Sequence, residues 1–169
     1  MFRKIYLYIL IILFINGCSP MVNRPNMVLP KDKKYAVGTF INYTDTPMAG
    51  LKASSIVESI LVNRGVDTIK LASSSDEIED YKNQQKALES QKQKAVEQNA
   101  NYLVTGAVQE WRYKTGIDAE PAVSYSIKII DLRDNRVIFN GVGAESGLSF
   151  YSLGELAQEL ADKLVPKFI

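Results

Sequence analysis

Three sets of side chains in this chain carry chemistry beyond packing. The first is the thiol of Cys18, the one cysteine. It closes a basic-then-apolar leader: Arg3 and Lys4, an apolar run of about 11 residues from Ile5 to Ile15, then Asn16-Gly17-Cys18-Ser19. A small residue before a cut and a thiol just after it is the layout of a bacterial lipoprotein signal, whose cysteine carries a diacylglycerol. An ordinary secretory leader, or a short anchor with a stray cysteine, is the competing account. The run is far short of the ~20 residues that span a bilayer, so residues 1–17 are expected to be cleaved as a signal peptide. A lone cysteine in an exported chain has no internal disulfide partner, and acylation accounts for it. By the usual sorting rule, Ser19 in place of an aspartate directs such a lipoprotein to the outer membrane.

The second set lies between Gln109 and Pro121: Glu110, Trp111, Arg112, Tyr113, Lys114, then Asp118 and Glu120 in a loop. Paired carboxylates serve as acid and base in glycosidases or as ligands for a hard cation. Asp118 and Glu120 are too close in sequence to sit dependably on opposite sides of a substrate, and no Asp-x-Asp-x-Gly calcium loop surrounds them. Solvated loop acids, or an acidic surface for a cationic polymer or basic partner, fit better. Trp111 and Tyr113 read either as a sugar-stacking platform or as filling for a sheet edge or a subunit seam. The third set is Phe150-Tyr151, just before the last helix. It suits a bilayer interface, or else a hydrophobic staple in which Tyr151 packs on the first turn. Gly141, Gly143 and Gly147 lack the Lys-Ser/Thr signature of a phosphate loop and read as bulges or turns.

What is missing narrows the chemistry. The chain has no histidine, which removes His-based triads, imidazole acid–base steps and nearly all zinc sites. The expectation is therefore a protein that is not an enzyme, binds no metal, and has no cofactor beyond the covalent diacylglycerol and N-acyl chain on Cys18. The formal net charge is +1. A cleaved leader takes Arg3 and Lys4 with it, so the sign turns to about −1. That balance gives no footprint for nucleic acid.

The elements that must hold these groups follow from periodicity and caps. Residues 18–34, interrupted by Pro20, Pro25 and Pro30, read as the lipidated N-terminus and a coreless tether. Residues 35–169 read as one periplasmic domain, enough for a core of its own. Tyr35 to Tyr43 reads as a first strand. Thr46 then Pro47 reads as an N-cap before a helix whose apolar face holds Ala49, Ala53, Ile56, Val57, Ile60 and Leu61, with Gly65 as its stop. Val66 to Leu71 is a second strand, parallel to the first. Ser74-Ser75-Asp76-Glu77 is a capping box opening a polar helix to about Asn99. Its thin stripe, Ile78, Tyr81, Leu88 and Ala95, either rests one edge on the sheet or meets a neighbouring subunit. Tyr102–Tyr113, Ala122–Leu132 and Arg136–Ala144 are long strands, the last two joined by a tight hairpin. Ser152-Leu153-Gly154-Glu155 is another capping box, opening a terminal helix striped by Leu153, Leu156, Ala157, Leu160, Ala161, Leu164 and Val165. The order β-α-β-α-β-β-β-α implies an α/β (α+β) fold with a five-stranded mixed sheet and three helices.

The lipobox at Cys18, the run Asn101-Tyr102-Leu103-Val104-Thr105-Gly106-Ala107-Val108 continuing into Glu110-Trp111-Arg112-Tyr113, and Ser152-Leu153 with Gln158 resemble the PelC-like outer-membrane lipoproteins of Pel exopolysaccharide export. More broadly the β/α order is similar to periplasmic domains of the TolB N-terminal or curli-secretion (CsgG) type. The resemblance implies a homo-oligomeric ring, lipid-anchored to the inner leaflet of the outer membrane and facing the periplasm. Its implied partners are an export porin with periplasmic helical repeats and a cationic exopolysaccharide. By position, Asp118 and Glu120 would belong to the acidic surface, and Phe150 and Tyr151 to the membrane-facing loop. The family implies a tryptophan among the membrane-contacting residues, where this loop has none. Similar topologies also serve in activators of cell-wall synthases and in secretion-channel lipoproteins, the alternative this resemblance leaves open.

Overall fold

A computed structural model describes residues 21–72, 84–116 and 119–169. Cys18, the Ser74–Glu77 capping box, Ile78, Tyr81 and Asp118 lie outside the described residues. In chain order the elements are β1 (Met21–Asn23), β2 (Val28–Leu29), β3 (Lys34–Val37), β4 (Ile41–Asn42), α1 (Ala49–Asn63), β5 (Asp67–Lys70), α2 (Gln84–Glu97), β6 (Tyr102–Tyr113), β7 (Pro121–Asp131), β8 (Arg136–Ser146), α3 (Leu153–Leu164) and β9 (Lys167–Phe168).

The mixed α/β class and the three helices are as expected, but the main sheet has seven strands rather than five, ordered β1-β8-β7-β6-β3-β5 with β4 also on β6. Two features of the chain account for the difference. The first expected strand is broken: Val37 faces Val104 and Ile41 faces Ala107, four steps along this segment against three along β6. The extra residue leaves the ladder and lets Phe40 turn into the core, where it is 2% exposed. The second feature is the stretch expected to be a coreless tether. From Met21 onward it is part of the fold, because β1 pairs antiparallel with β8 and β2 pairs parallel with β9. Leu29 is buried there, and its carbonyl accepts from the Ile169 amide at 3.0 Å. Pro25 and Pro30 interrupt a long strand but allow short ones beside them.

Two helices cover one face of the sheet. β7 alternates as its sequence implies: Val123, Tyr125, Ile127 and Ile129 are buried beneath α1 and α3, while Lys128 between them is exposed. α3 opens on the expected capping box, with Ser152 accepting from the Glu155 amide and Glu155 accepting from the Ser152 amide at 2.9 Å. Its stripe Leu156, Ala157, Leu160, Ala161 and Leu164 is buried. On the opposite face Ala95 is buried and Leu88 half-buried against Ala36, Leu71, Leu103 and Ile130, so α2 rests one edge on the sheet.

α1 begins later than its cap signal suggests. It opens at Ala49 after Met48, which sits at φ 60° with no side-chain cap. The Thr46 hydroxyl donates instead to the Trp111 carbonyl, tying this turn to β6. Gly50 is required by the resulting closeness, since a Cβ there would lie 2.0 Å from the Phe40 carbonyl oxygen. Gly65, at φ 71°, ends the helix as its position implies.

Candidate functional site

The expected loops meet at one end of the sheet. β6 and β7 are joined there by residues 114–120, and β8 runs up beside them into residues 147–152. The Lys114 amide donates to the Glu120 carbonyl at 2.7 Å, and the Gly147 amide to the Pro121 carbonyl at 2.9 Å. These bonds hold the two loops side by side around an open cavity of about 350 Å³, whose lining includes Lys114, Glu120, Glu145, Leu148, Tyr151 and Glu159.

Glu145 is the group that sequence reasoning missed. Its register opposite Val123 places it on the core-facing side of β8, in line with Gly143 opposite Tyr125. Gly143 is bare because α3 is close: a Cβ there would lie 2.7 Å from Leu160 Cδ1. It is therefore an in-strand packing site and not the bulge or turn expected of it. The alternation Gly141, Gly143, Glu145 was the available signal, since successive odd positions share one face. The Glu145 side chain is 9% exposed, and its Oε1 accepts from Lys163 Nζ at 2.7 Å. Its Oε2 is buried with no hydrogen-bond partner among the described residues. Lys163 Nζ also lies 3.8 Å from Glu159. Beside them, burial and then the negative charge of Glu145 push the Tyr125 phenol well above its usual range. That hydroxyl donates to the Ala157 carbonyl.

The expected site residues divide. Glu120 is half exposed and lies 3.6 Å from Lys114 Nζ, which also donates to Ser146 Oγ at 3.0 Å. Its charge is thus partly balanced within its own loop. Phe150 is 75% exposed, and Leu148 beside it 57%. Tyr151 is half-buried, its ring 4.9 Å from that of Phe150. It precedes the Ser152 cap, and both Tyr151 Cβ and Leu156 Cδ1 close over Gly147, at 3.1 and 3.3 Å from where a Cβ would stand. Phe150 therefore faces outward with the Tyr151 ring tilted beside it, while the Tyr151 Cβ lies over Gly147. Trp111 is 4% exposed within the main core, so it is no platform for a sugar or a neighbour; Tyr113 is 48% exposed at the end of β6.

β1 also begins at this end, since Met21 faces Ala144 and β1 runs antiparallel to β8. Among the described residues no group of three or more His, Cys, Asp or Glu could hold a metal ion, and no helix is long and apolar enough to cross a membrane.

The fold and this loop end define a small mixed α/β domain whose charged and apolar side chains gather at one end of its sheet. No protein-family model matches the chain, and no curated protein does. Solved structures do. It is similar to the PelC dodecamer from Paraburkholderia phytofirmans, at 35% identity and a TM-score of 0.71, covering 86% of this chain and 94% of that one. The L103M form of the same protein aligns at 36% identity with the same coverage and TM-score. At 13% identity, the hypothetical protein CT253 from Chlamydia trachomatis shares the fold alone, with a TM-score of 0.53 over 78% of this chain and 92% of that one. The chain belongs to the PelC family.

Proposed function

We propose that this protein is a lipid-anchored, ring-forming accessory of polysaccharide export, held through Cys18 on the periplasmic face of the outer membrane. There it guides a cationic polymer toward a porin. The observation that carries this reading is the 36%-identical relative that assembles as a dodecamer, aligned over 86% of the chain. The geometry supports it. The start of β1 at Met21, the exposed Leu148 and Phe150, and the cavity with Glu120, Glu145 and Glu159 all lie at one end of the sheet. An anchor and two exposed apolar side chains on the same end fix the domain's orientation on a bilayer, with rings half buried in the interface.

Anchoring also favours assembly. Subunits confined to one surface meet at a high effective concentration, and head-to-tail contacts that close make a ring. Many copies presenting the same carboxylates toward one lumen build a field that a single near-neutral subunit lacks.

Light scattering on the lipidated protein in detergent tests the assembly. The expected result is a closed ring, of about twelve copies because the relative is a dodecamer. A strict monomer at high concentration, in detergent and on vesicles, would overturn the reading. The anchor has its own test. Mass spectrometry of the protein from its native host should find residues 1–17 gone and acyl chains on Cys18; an intact leader or a bare thiol refutes the anchor.

A further inference from the structure

The main sheet is covered unevenly on the side away from α1 and α3. The thin stripe of α2, Leu88 and Ala95, packs there with Ala36 on β3, Leu103 on β6 and Ile130 on β7, and goes no farther. Beyond it, register sets Ser124, Ser126 and Lys128 of β7 beside Ala144, Val142 and Asn140 of β8. Ala144 and Val142 in turn lie beside Met21 and Asn23 of β1. A sheet face left to water carries polar side chains, above all at its edge. β7 follows that rule and the edge does not. Met21 is 77% exposed and Val142 43%, with the small, half-buried Ala144 next to both. An apolar edge on an otherwise polar face is a surface that another chain covers.

The charges select the partner. Lys128 stands exposed beside this edge and has no ion pair among the described residues. Two copies meeting by this same side would bring both Lys128 side chains into one interface, which opposes a two-fold contact. The other side of the domain carries the complement. α3 turns Glu155, Glu159 and Asp162 outward, all three exposed. Lys163 is drawn in to Glu145 at 2.7 Å and lies farther, 3.8 Å, from Glu159. Arg64 offsets Asp162 at 2.7 Å, so the strip as a whole stays negative. A domain with a free cation on one side and an acidic strip on the other joins head to tail.

We propose that the β1–β8 side of one subunit, with Met21, Val142 and Lys128, seats against the outer face of α3 in a second copy of this chain, Lys128 facing Glu159. The inference rests on the ring reading above and deepens it by naming the two sides that meet. With the loop end on a bilayer, both sides stand lateral to the membrane, so the contact repeats within its plane. Met21 and Val142 lose water at the contact, and the Lys128–Glu159 pair sets which side meets which. The contact is heterologous, as a ring requires.

Sedimentation of the lipidated full chain in detergent, over a dilution series, tests this. Lys128→Glu and Glu159→Lys each set like charges together, so each should raise the concentration at which the ring half dissociates by at least about tenfold. Val142→Asp, on the same edge, should act in the same direction by a similar factor. The double variant Lys128→Glu with Glu159→Lys should return to within about threefold of wild type, because the pair is restored with its signs exchanged. Wild-type assembly by any of the three single variants overturns the proposal and leaves a ring built through other surfaces standing. Loss in both charge variants without recovery in the double variant overturns the pairing of these two sides. A wild type that stays monomeric overturns the ring reading, and this inference with it.

Discussion

The two ends of the main sheet handle charge in opposite ways. At the end where β7 turns into β8, each acid finds a partner two residues away. Asp131 takes the backbone N–H, Nε and Nη2 of Arg133, and Asp134 takes Arg136 Nε at 2.7 Å. Asn135, at φ 63°, makes that turn tight enough to close these local pairs. At the loop end the most buried acid is paired across elements. Lys163 on α3 serves Glu145 on β8, Lys114 and Glu120 approach only to 3.6 Å, and one carboxylate oxygen is left bare beside exposed Leu148 and Phe150. An end that satisfies itself locally has little left for a ligand, whereas one that depends on distant partners leaves valence over. That contrast supports the loop end, rather than the hairpin end, as the proposed site.

Substitutions can break the contrast. The largest effect should come from Leu148→Asp with Phe150→Asp. Each exposed apolar side chain contributes about 1.5 kcal/mol or more on entering a bilayer, so the pair should weaken vesicle binding of a Cys18→Ser protein at least about a hundredfold. Val137→Asp, also at an exposed apolar residue but near the other end, should leave flotation with vesicles unchanged. Next in size is Ser152→Ala, which removes the cap of α3 beneath the loop end. It should cost about 1 kcal/mol and lower the thermal midpoint by about 4 °C.

The hairpin end should show itself in acid. Hydrogen bonds from the Arg133 side chain and then its backbone N–H hold the Asp131 carboxyl below its ordinary range. A carboxyl lowered in the folded state stabilises fully above its unfolded pKa, about 3.9, and that stability is lost as pH falls through the lowered value. Thermal melts from pH 5 downward should therefore decline less steeply for Asp131→Asn than for wild type. The smallest effect is Arg136→Ala, where the side chain is 78% exposed. It should change stability by less than about 0.5 kcal/mol, and a larger loss would mean that the hairpin end is less self-contained than its local pairs imply.

Much of the scaffold was legible because it repeats a local rule. The β7 alternation, the Ser152–Glu155 box and the α3 stripe each need only neighbours within a few residues. Thr46 misled for a related reason: a hydroxyl before a helix caps it unless something nearer in space competes, and the Trp111 carbonyl does. Trp111 read either as a stacking platform or as filling for a sheet edge or subunit seam, and its side of β6 faces the core. Of the site, Glu120 and the Phe150-Tyr151 pair were found by composition. Glu145 was passed over because the alternation of Gly141 and Gly143 before it marks a core-facing side only once the register of β8 on β7 is known.

The chain by itself determined its cysteine's candidacy for a lipid, the removal of imidazole chemistry by the lack of histidine, and the order of its helices and long strands, since these depend on residue type and short-range period. Folding in three dimensions decided that residues 21–29 join two sheets, that loops thirty residues apart share one cavity, and that a carboxylate sits under it with an oxygen to spare. Those outcomes depend on strand register and on helix-to-sheet distance, which no span of neighbouring residues encodes.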